Sequence, residues 1–406
     1  MKLVLHIGTE KTGTTLLQNW LYHNQKSLSR QRVFLSDTLG KSNNREIVSY
    51  VQETFDDFTR RLNIKTPEDK AKHFEGFVER FRNEVNKAQK DHDVMVITSE
   101  HFHSRLRRQS ELESLKKLLE GMFESITILC YFREQSEMRQ SLYSTGLSGA
   151  SSVPIEEFQI DVDASNYYYN FYDIASNWAS VFGTDCLDFR IYDRNSFAEG
   201  DIRFDFLTAI PKEIDPSALS FEAVSSNESL SLLQGRAFRI INKNVPYWVE
   251  KGGVNQLNRF YKRIFNACKT LRVGKITDPR KGDLVGRFKE SNEKFFSEFI
   301  RTKTGFPESR AGTGKQAPLS FSLEEVATMV EDITDGITSQ IGSRVLLDSD
   351  AAVLRDIASG YETGRPLTNE EAIALMELAQ RARPKGRIIR RKLKKWKTRR
   401  TVKENA

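Results

Sequence analysis

Only three of the 406 residues are cysteine, Cys130, Cys186 and Cys268, and none belongs to a CxxC pair. That excludes a disulfide framework and leaves reduced, buried thiols as the expectation. The six histidines and three cysteines show no zinc-ligand spacing. His101 and His103 lie two apart and would share one face of a strand, which is thin support for a metal. No run of eighteen apolar residues occurs, which excludes a transmembrane helix of ordinary length. Leu3-Val4-Leu5 is too short for a leader and runs directly into a loop, so a cytoplasmic protein is expected. A surplus of one charge is missing from most of the chain too. Residues 381–406 hold 13 Lys/Arg against one acid, whereas the other 380 residues carry 49 basic and 54 acidic side chains. The net charge of +7 is therefore the property of one segment on a mildly acidic body.

What is present is an alternation of short apolar runs and helical patterns. Leu3 to Ile7, Val33 to Leu35, Val94 to Thr98, Ile126 to Phe132 and Leu187 to Tyr192 read as strands, several of them buried on both faces. Helical segments fall between them: Thr14 to His23, Glu111 to Phe123 and Tyr172 to Phe182. This order predicts an α/β fold, a parallel sheet flanked by helices, with right-handed crossovers. Residues 40–92 read as a helical insertion and residues 223–305 mainly as helices. Arg310 to Pro318 reads as a boundary loop, so the expected division is 1–310, a helical extension over 318–382, and a basic segment over 383–406. Capping boxes at Ser322-Leu-Glu-Glu325 and Thr368-Asn-Glu-Glu371 open two helices. The first should bury Leu323, Val326, Met329, Ile333 and Ile337, and the second Ile373, Met376 and Ala379.

The stretch His6-Ile-Gly-Thr-Glu-Lys-Thr-Gly-Thr-Thr15 lies between the first strand and the first helix. Glycines there let successive N–H groups turn inward, and the helix adds its unpaired N–H groups and positive dipole end. Lys11 supplies a mobile cation and Thr14 and Thr15 supply hydroxyls. A nucleoside triphosphatase loop would place its lysine directly after the second glycine. Here Lys11 precedes Gly13, and no strand-ending Asp suited to magnesium is evident. Lys11-Thr12-Gly13-Thr14-Thr15 after a strand resembles the 5′-phosphosulfate loop of sulfotransferases that use 3′-phosphoadenosine 5′-phosphosulfate (PAPS). A second signature of that superfamily is an arginine ending a central strand and a serine eight residues on. Arg133 and Ser141 match it, with Arg139 between them.

The resemblance is to bacterial members of the superfamily and covers roughly residues 1–305. It extends to Trp178, Phe182-Gly183, Phe189-Arg-Ile-Tyr192 and Asn227-Glu-Ser-Leu230. It implies a fold of P-loop nucleotide-binding type and PAPS as co-substrate. Lys11, Thr12, Gly13, Thr14 and Thr15 would hold the 5′ end, and Arg133 and Ser141 the 3′-phosphate. A sulfuryl group would pass to a hydroxyl or amine acceptor, with carbohydrate or a glycoconjugate favoured, and no metal is expected. The strand end Ser99-Glu-His-Phe-His103 would carry the base, with Glu100 and His101 both in view. Glu10 either orients Lys11 or faces water. Arg280-Lys-Gly282 matches the letters of a late nucleotide segment, but Gly286 falls one residue late, and a charged surface turn is the simpler reading. Tyr167-Tyr-Tyr169 either lines an acceptor pocket or packs in the core. Another P-loop transferase, such as a small-molecule kinase, and a non-catalytic nucleotide-binding member docked by its basic segment are the alternatives. Within residues 383–406, Ile389, Leu393 and Trp396 are spaced for one helix face. That segment is either a basic amphipathic helix for an anionic membrane surface or polyanion, or a solvated tail. The acidic body gives no support to nucleic-acid binding.

Overall fold

A computed structural model of the chain describes residues 1–222, 229–249, 253–300, 303–307, 320–341, 348–363 and 367–404. The boundary loop expected at Arg310 to Pro318 lies outside the described residues, as do the first two residues of Asn227-Glu-Ser-Leu230. Two compact units are present. The first comprises Met1–Ser141, Gln159–Glu228 and Pro279–Thr313, and the second Leu142–Phe158, Ser229–Asp278 and Gly314–Ala406.

The first unit is built on β1 (Lys2–His6), β2 (Val33–Leu35), β3 (Val94–Thr98), β4 (Ile126–Phe132) and β5 (Leu187–Ile191). They form one parallel sheet in the order β2-β3-β1-β4-β5. β1 pairs with β3 on one side, Leu5 opposite Ile97, and with β4 on the other, Leu5 opposite Ile128. Leu3, Val4, Leu5 and Ile7 are all fully buried because both faces are covered, which is why β1 reads as an unbroken apolar run. On one face Val4, Val96, Leu129 and Tyr131 pack on Leu17, Trp20 and Leu21 of the Thr14–His23 helix and on Phe206. On β4, the Phe132 ring meets Phe171, Phe189 and Phe295 edge-on. The connection leaving β1 runs to β2 on one side, whereas that leaving β3 crosses β1 to β4 on the other, so the carboxyl end of β1 lies at a topological switch point, where ligands of open α/β sheets bind.

Residues 40–92 form four helices, Arg45–Val51, Asp57–Arg61, Pro67–His73 and Phe77–Ala88. Asn44 tethers this insertion to the sheet by accepting from the Thr98 N–H at 2.9 Å. The three cysteines are free.

In the second unit both capping boxes form as expected, at Ser322 with Glu325 and at Thr368 with Glu371. Ile373, Met376 and Ala379 are buried. The Leu323–Ile341 helix departs from its expected stripe. Met329, Ile333 and Ile337 pack on Leu257, Phe260, Ile264 and Val353, but Leu323 is 91% exposed and Val326 is also exposed. The cluster that receives this helix begins only at Met329, so its first turn faces water.

The expectation for Ile389, Leu393 and Trp396 is corrected more deeply. They lie on one face of the Arg387–Glu404 helix, as their spacing demands, but that face is buried against Leu354, Ala358, Ile373 and Met376. The indole N–H of Trp396 donates to Glu362 at 3.1 Å. The stripe is part of a core, which removes both the solvated tail and the apolar face offered to a membrane. Among the described residues, no helix is long and apolar enough to cross a membrane.

Candidate functional site

The loop between β1 and the Thr14–His23 helix is held by the sheet and bent by three left-handed residues. Gly8, Lys11 and Gly13 have φ of 100°, 69° and 75°. Only glycine adopts this region without a steric penalty, and for Lys11 it costs about 1–2 kcal/mol. β4 fixes the first half of the loop. The Tyr131 N–H donates to the Gly8 carbonyl at 2.9 Å, and the Thr9 N–H donates to the Tyr131 carbonyl at 3.0 Å. The Thr12 hydroxyl closes the turn on the Thr9 carbonyl at 2.6 Å. Gly13 caps the helix without a side-chain hydrogen bond, and the first turn carries no acid. Its N–H groups and dipole, roughly half a positive charge, are therefore uncompensated by a protein carboxylate in that turn.

Lys11 and Arg133, the two expected anchors, meet. The guanidinium Nη1 of Arg133 donates to the Lys11 carbonyl at 3.3 Å, which supports the left-handed residue from outside the loop. Arg133 also pairs with Glu137 at 3.2 Å and lies over the Tyr192 ring at 5.6 Å. Glu137 and Ser141 follow Arg133 at intervals of four in and before the Gln135–Ser148 helix, which aligns the two on one helix face. Arg139, between them, is fully buried and donates to the Gln159 carbonyl at 3.4 Å. Arg280 donates to the same carbonyl at 3.3 Å. The Arg280-Lys-Gly282 segment forms a surface turn that opens the Lys281–Arg287 helix, with Gly282 exposed and Arg280 and Lys281 half-buried. The Lys281 ammonium is buried with no hydrogen-bond partner among the described residues. Such an atom is uncommon in a folded protein and points to a missing anionic or polar partner.

Across the loop from Arg133 stands the end of β3. Ser99 and Glu100 leave the strand, and His101 and His103 lie on a short helix, His101–Arg105, so they do not share a strand face. A Cβ built on Gly8 would stand 3.0 Å from the Cα of Glu100, so the loop passes this backbone as closely as glycine permits. The Gln18 amide donates to one oxygen of Glu100 at 2.6 Å, and the His101 Nε2 stands 3.9 Å from the other. Burial pulls the Lys11 ammonium below its usual range, while the charges of Glu10 and Glu100 oppose that pull. Burial also lowers His101, opposed by Glu100 and reinforced by Arg45 and Arg105, so its imidazole is neutral at neutral pH.

Glu10 does not face water. Burial opposes its charge, but hydrogen bonds from the Tyr168 hydroxyl, at 2.7 Å, and from Ser104, with the charge of Arg105, hold the carboxyl below its usual range. The Glu10 N–H reaches His103 Nδ1 at 3.5 Å, and His103 Nε2 lies 2.9 Å from the Tyr168 carbonyl. Because Nδ1 accepts, the proton belongs on Nε2. This Glu10–Tyr168–His103 clasp escaped the sequence reading because its members lie about 90 and 160 residues apart. Of the three tyrosines, Tyr169 is buried and Tyr167 and Tyr168 are half-buried. Tyr168 is held by Glu10, Tyr167 accepts from Asn177 at 3.2 Å, and Tyr169 donates to Gln159.

Thr14 is buried and Thr15 exposed at the helix start. Two surface clefts, of about 390 and 790 Å³, are lined by residues of 25–35 and of 198–216. Neither is lined by residues of the loop.

No protein-family model matches the chain, and no solved structure matches it. An uncharacterised protein of Archaeoglobus fulgidus is 29% identical over 214 residues, 52% of this chain and 55% of that protein. The chain thus spans about half the length of this curated relative.

Proposed function

We propose that the protein is a sulfotransferase that takes its sulfuryl group from PAPS. The observation that carries the reading is the contact of Arg133 with Lys11, which lets two cationic anchors share one doubly phosphorylated nucleotide. The strand order, with the loop at the central switch point, supports a fold of P-loop type. The N–H groups of the loop and helix start, with Lys11 and the Thr14 and Thr15 hydroxyls, hold the 5′-phosphosulfate. Arg133, Ser141 and Lys281 hold the 3′-phosphate, a dianion suited to an arginine fork and two further donors.

In the transfer, an acceptor oxygen attacks sulfur in line as the bond from sulfur to the 5′-phosphate oxygen breaks. The acceptor's proton passes to the Glu100 carboxylate. Lys11 and the loop N–H groups stabilise the negative charge that collects on the departing phosphate oxygen. Glu100 is favoured as base because it stands at the edge of the loop, close enough to raise the Lys11 pKa, and Gln18 fixes its orientation. His101, neutral beside it, is the competing base. Glu100→Gln should reduce turnover at least a hundredfold with little change in nucleotide affinity, whereas His101→Ala should reduce it far less. The acceptor class is a hydroxylated compound, with carbohydrate first. Competition between ATP and 3′-phosphoadenosine 5′-phosphate for the purified protein tests the donor. The reading requires preference for the 3′-phosphorylated nucleotide, and a preference for ATP would favour a kinase-type transferase.

A further inference from the structure

The Arg387–Glu404 helix has one face buried and another covered in uncompensated positive charge. Between residues 381 and 398 no acid occurs. The acids that reach this segment come from other helices. Glu362 takes Lys392 and Lys395, Glu377 takes Lys397, and Asp348 takes Arg383. Arg387, Arg391 and Lys394 are exposed, have no ion pair among the described residues, and recur at intervals of four and three. That spacing sets them in a row opposite Ile389, Leu393 and Trp396. Arg390, at its edge, donates among the described residues only to the Lys385 carbonyl, at 3.4 Å, and forms no ion pair with them.

We propose that this outward face is a docking surface for anionic lipid headgroups, on which the helix lies without inserting its apolar stripe. Four aligned cations on a helix match the basic clusters that bind anionic membranes. The row is straight and convex, about 1.5 Å per residue along the axis, and suits a plane of charge better than a polymer that must be wrapped. Ile388, 49% exposed beside Arg387, adds one apolar side chain suited to the boundary between headgroups and acyl chains. A phosphodiester backbone offers it nothing. With the stripe committed to the core, binding is electrostatic and falls with salt. This surface does not depend on the nucleotide reading.

The test is sedimentation of the full chain with vesicles of phosphatidylcholine, with and without phosphatidylglycerol. The parent should bind the anionic vesicles and lose at least tenfold in affinity at high salt. Reversing Arg387, Arg391 and Lys394 to Glu should cost at least tenfold. The milder replacement of all three by Gln, which leaves no repulsion and little cause for misfolding, should still weaken binding several-fold. Reversing Lys72, Lys87 and Lys90, exposed lysines of the insertion, changes net charge equally and should leave binding unaltered. Equal binding by the two reversed proteins, indifference to phosphatidylglycerol, or tighter binding to duplex DNA than to vesicles would overturn the proposal.

Discussion

A side chain at Gly8 would meet the Glu100 backbone at 3.0 Å with φ at +100°, a conformation that L residues rarely adopt. Gly8→Ala should therefore destabilise the fold by about 1–3 kcal/mol and push the loop away from the β3 end. Thermal unfolding and nucleotide titration should both report the loss. Glu137 presents the opposite case. Its carboxylate holds Arg133 at 3.2 Å and competes with any phosphate for that guanidinium. Glu137→Gln should tighten binding of a 3′-phosphorylated nucleotide by up to about fivefold, on the scale of one exposed ion pair. It should leave a nucleotide lacking that phosphate unaffected. Lys281→Ala should do the reverse, weakening only the 3′-phosphorylated ligand.

At the scale of elements, periodicity carried a reader far. β2, β3 and β4 and the Thr14–His23 helix begin and end where their apolar patterns do, since a strand covered on both faces leaves an unbroken apolar run. The loop was legible for a similar reason, because glycines and a lysine between a strand and a helix have a local physical meaning. What stayed hidden depends on distant partners. Nothing near Glu10 announces Tyr168, and nothing near Lys281 announces that its ammonium is buried. The Ile389, Leu393 and Trp396 stripe was legible as a stripe, but a stripe does not name its partner, and here the partner is the protein's own core. Trp396 is fully buried and hydrogen-bonded to Glu362. Trp396→Ala should cost about 3–5 kcal/mol in the stability of the second unit, measurable by urea unfolding.

Over the whole molecule, stability should fall in mild acid for a reason internal to the sheet. Burial lowers His6 to about 3 and His103 to about 4, with Glu10 partly opposing the shift at His103. Both folded values lie below the ordinary 6.5, so the unfolded chain takes up protons first. The stabilisation is complete above pH 6.5 and is lost progressively as pH falls toward 4. Urea unfolding at intervals between those limits should show a decline on the order of 3 kcal/mol per histidine, and His103→Gln should flatten the slope. The same cluster underlies the loop that the functional account depends on. Its central claim is that Lys11 and Arg133 grip the two ends of one nucleotide. Isothermal titration with 3′-phosphoadenosine 5′-phosphate, on the parent, Lys11→Ala and Arg133→Ala, addresses it directly. Saturable binding by the parent, weakened at least tenfold by each substitution, is the outcome required. A parent that takes up no nucleotide, or one whose affinity ignores both changes, would contradict it.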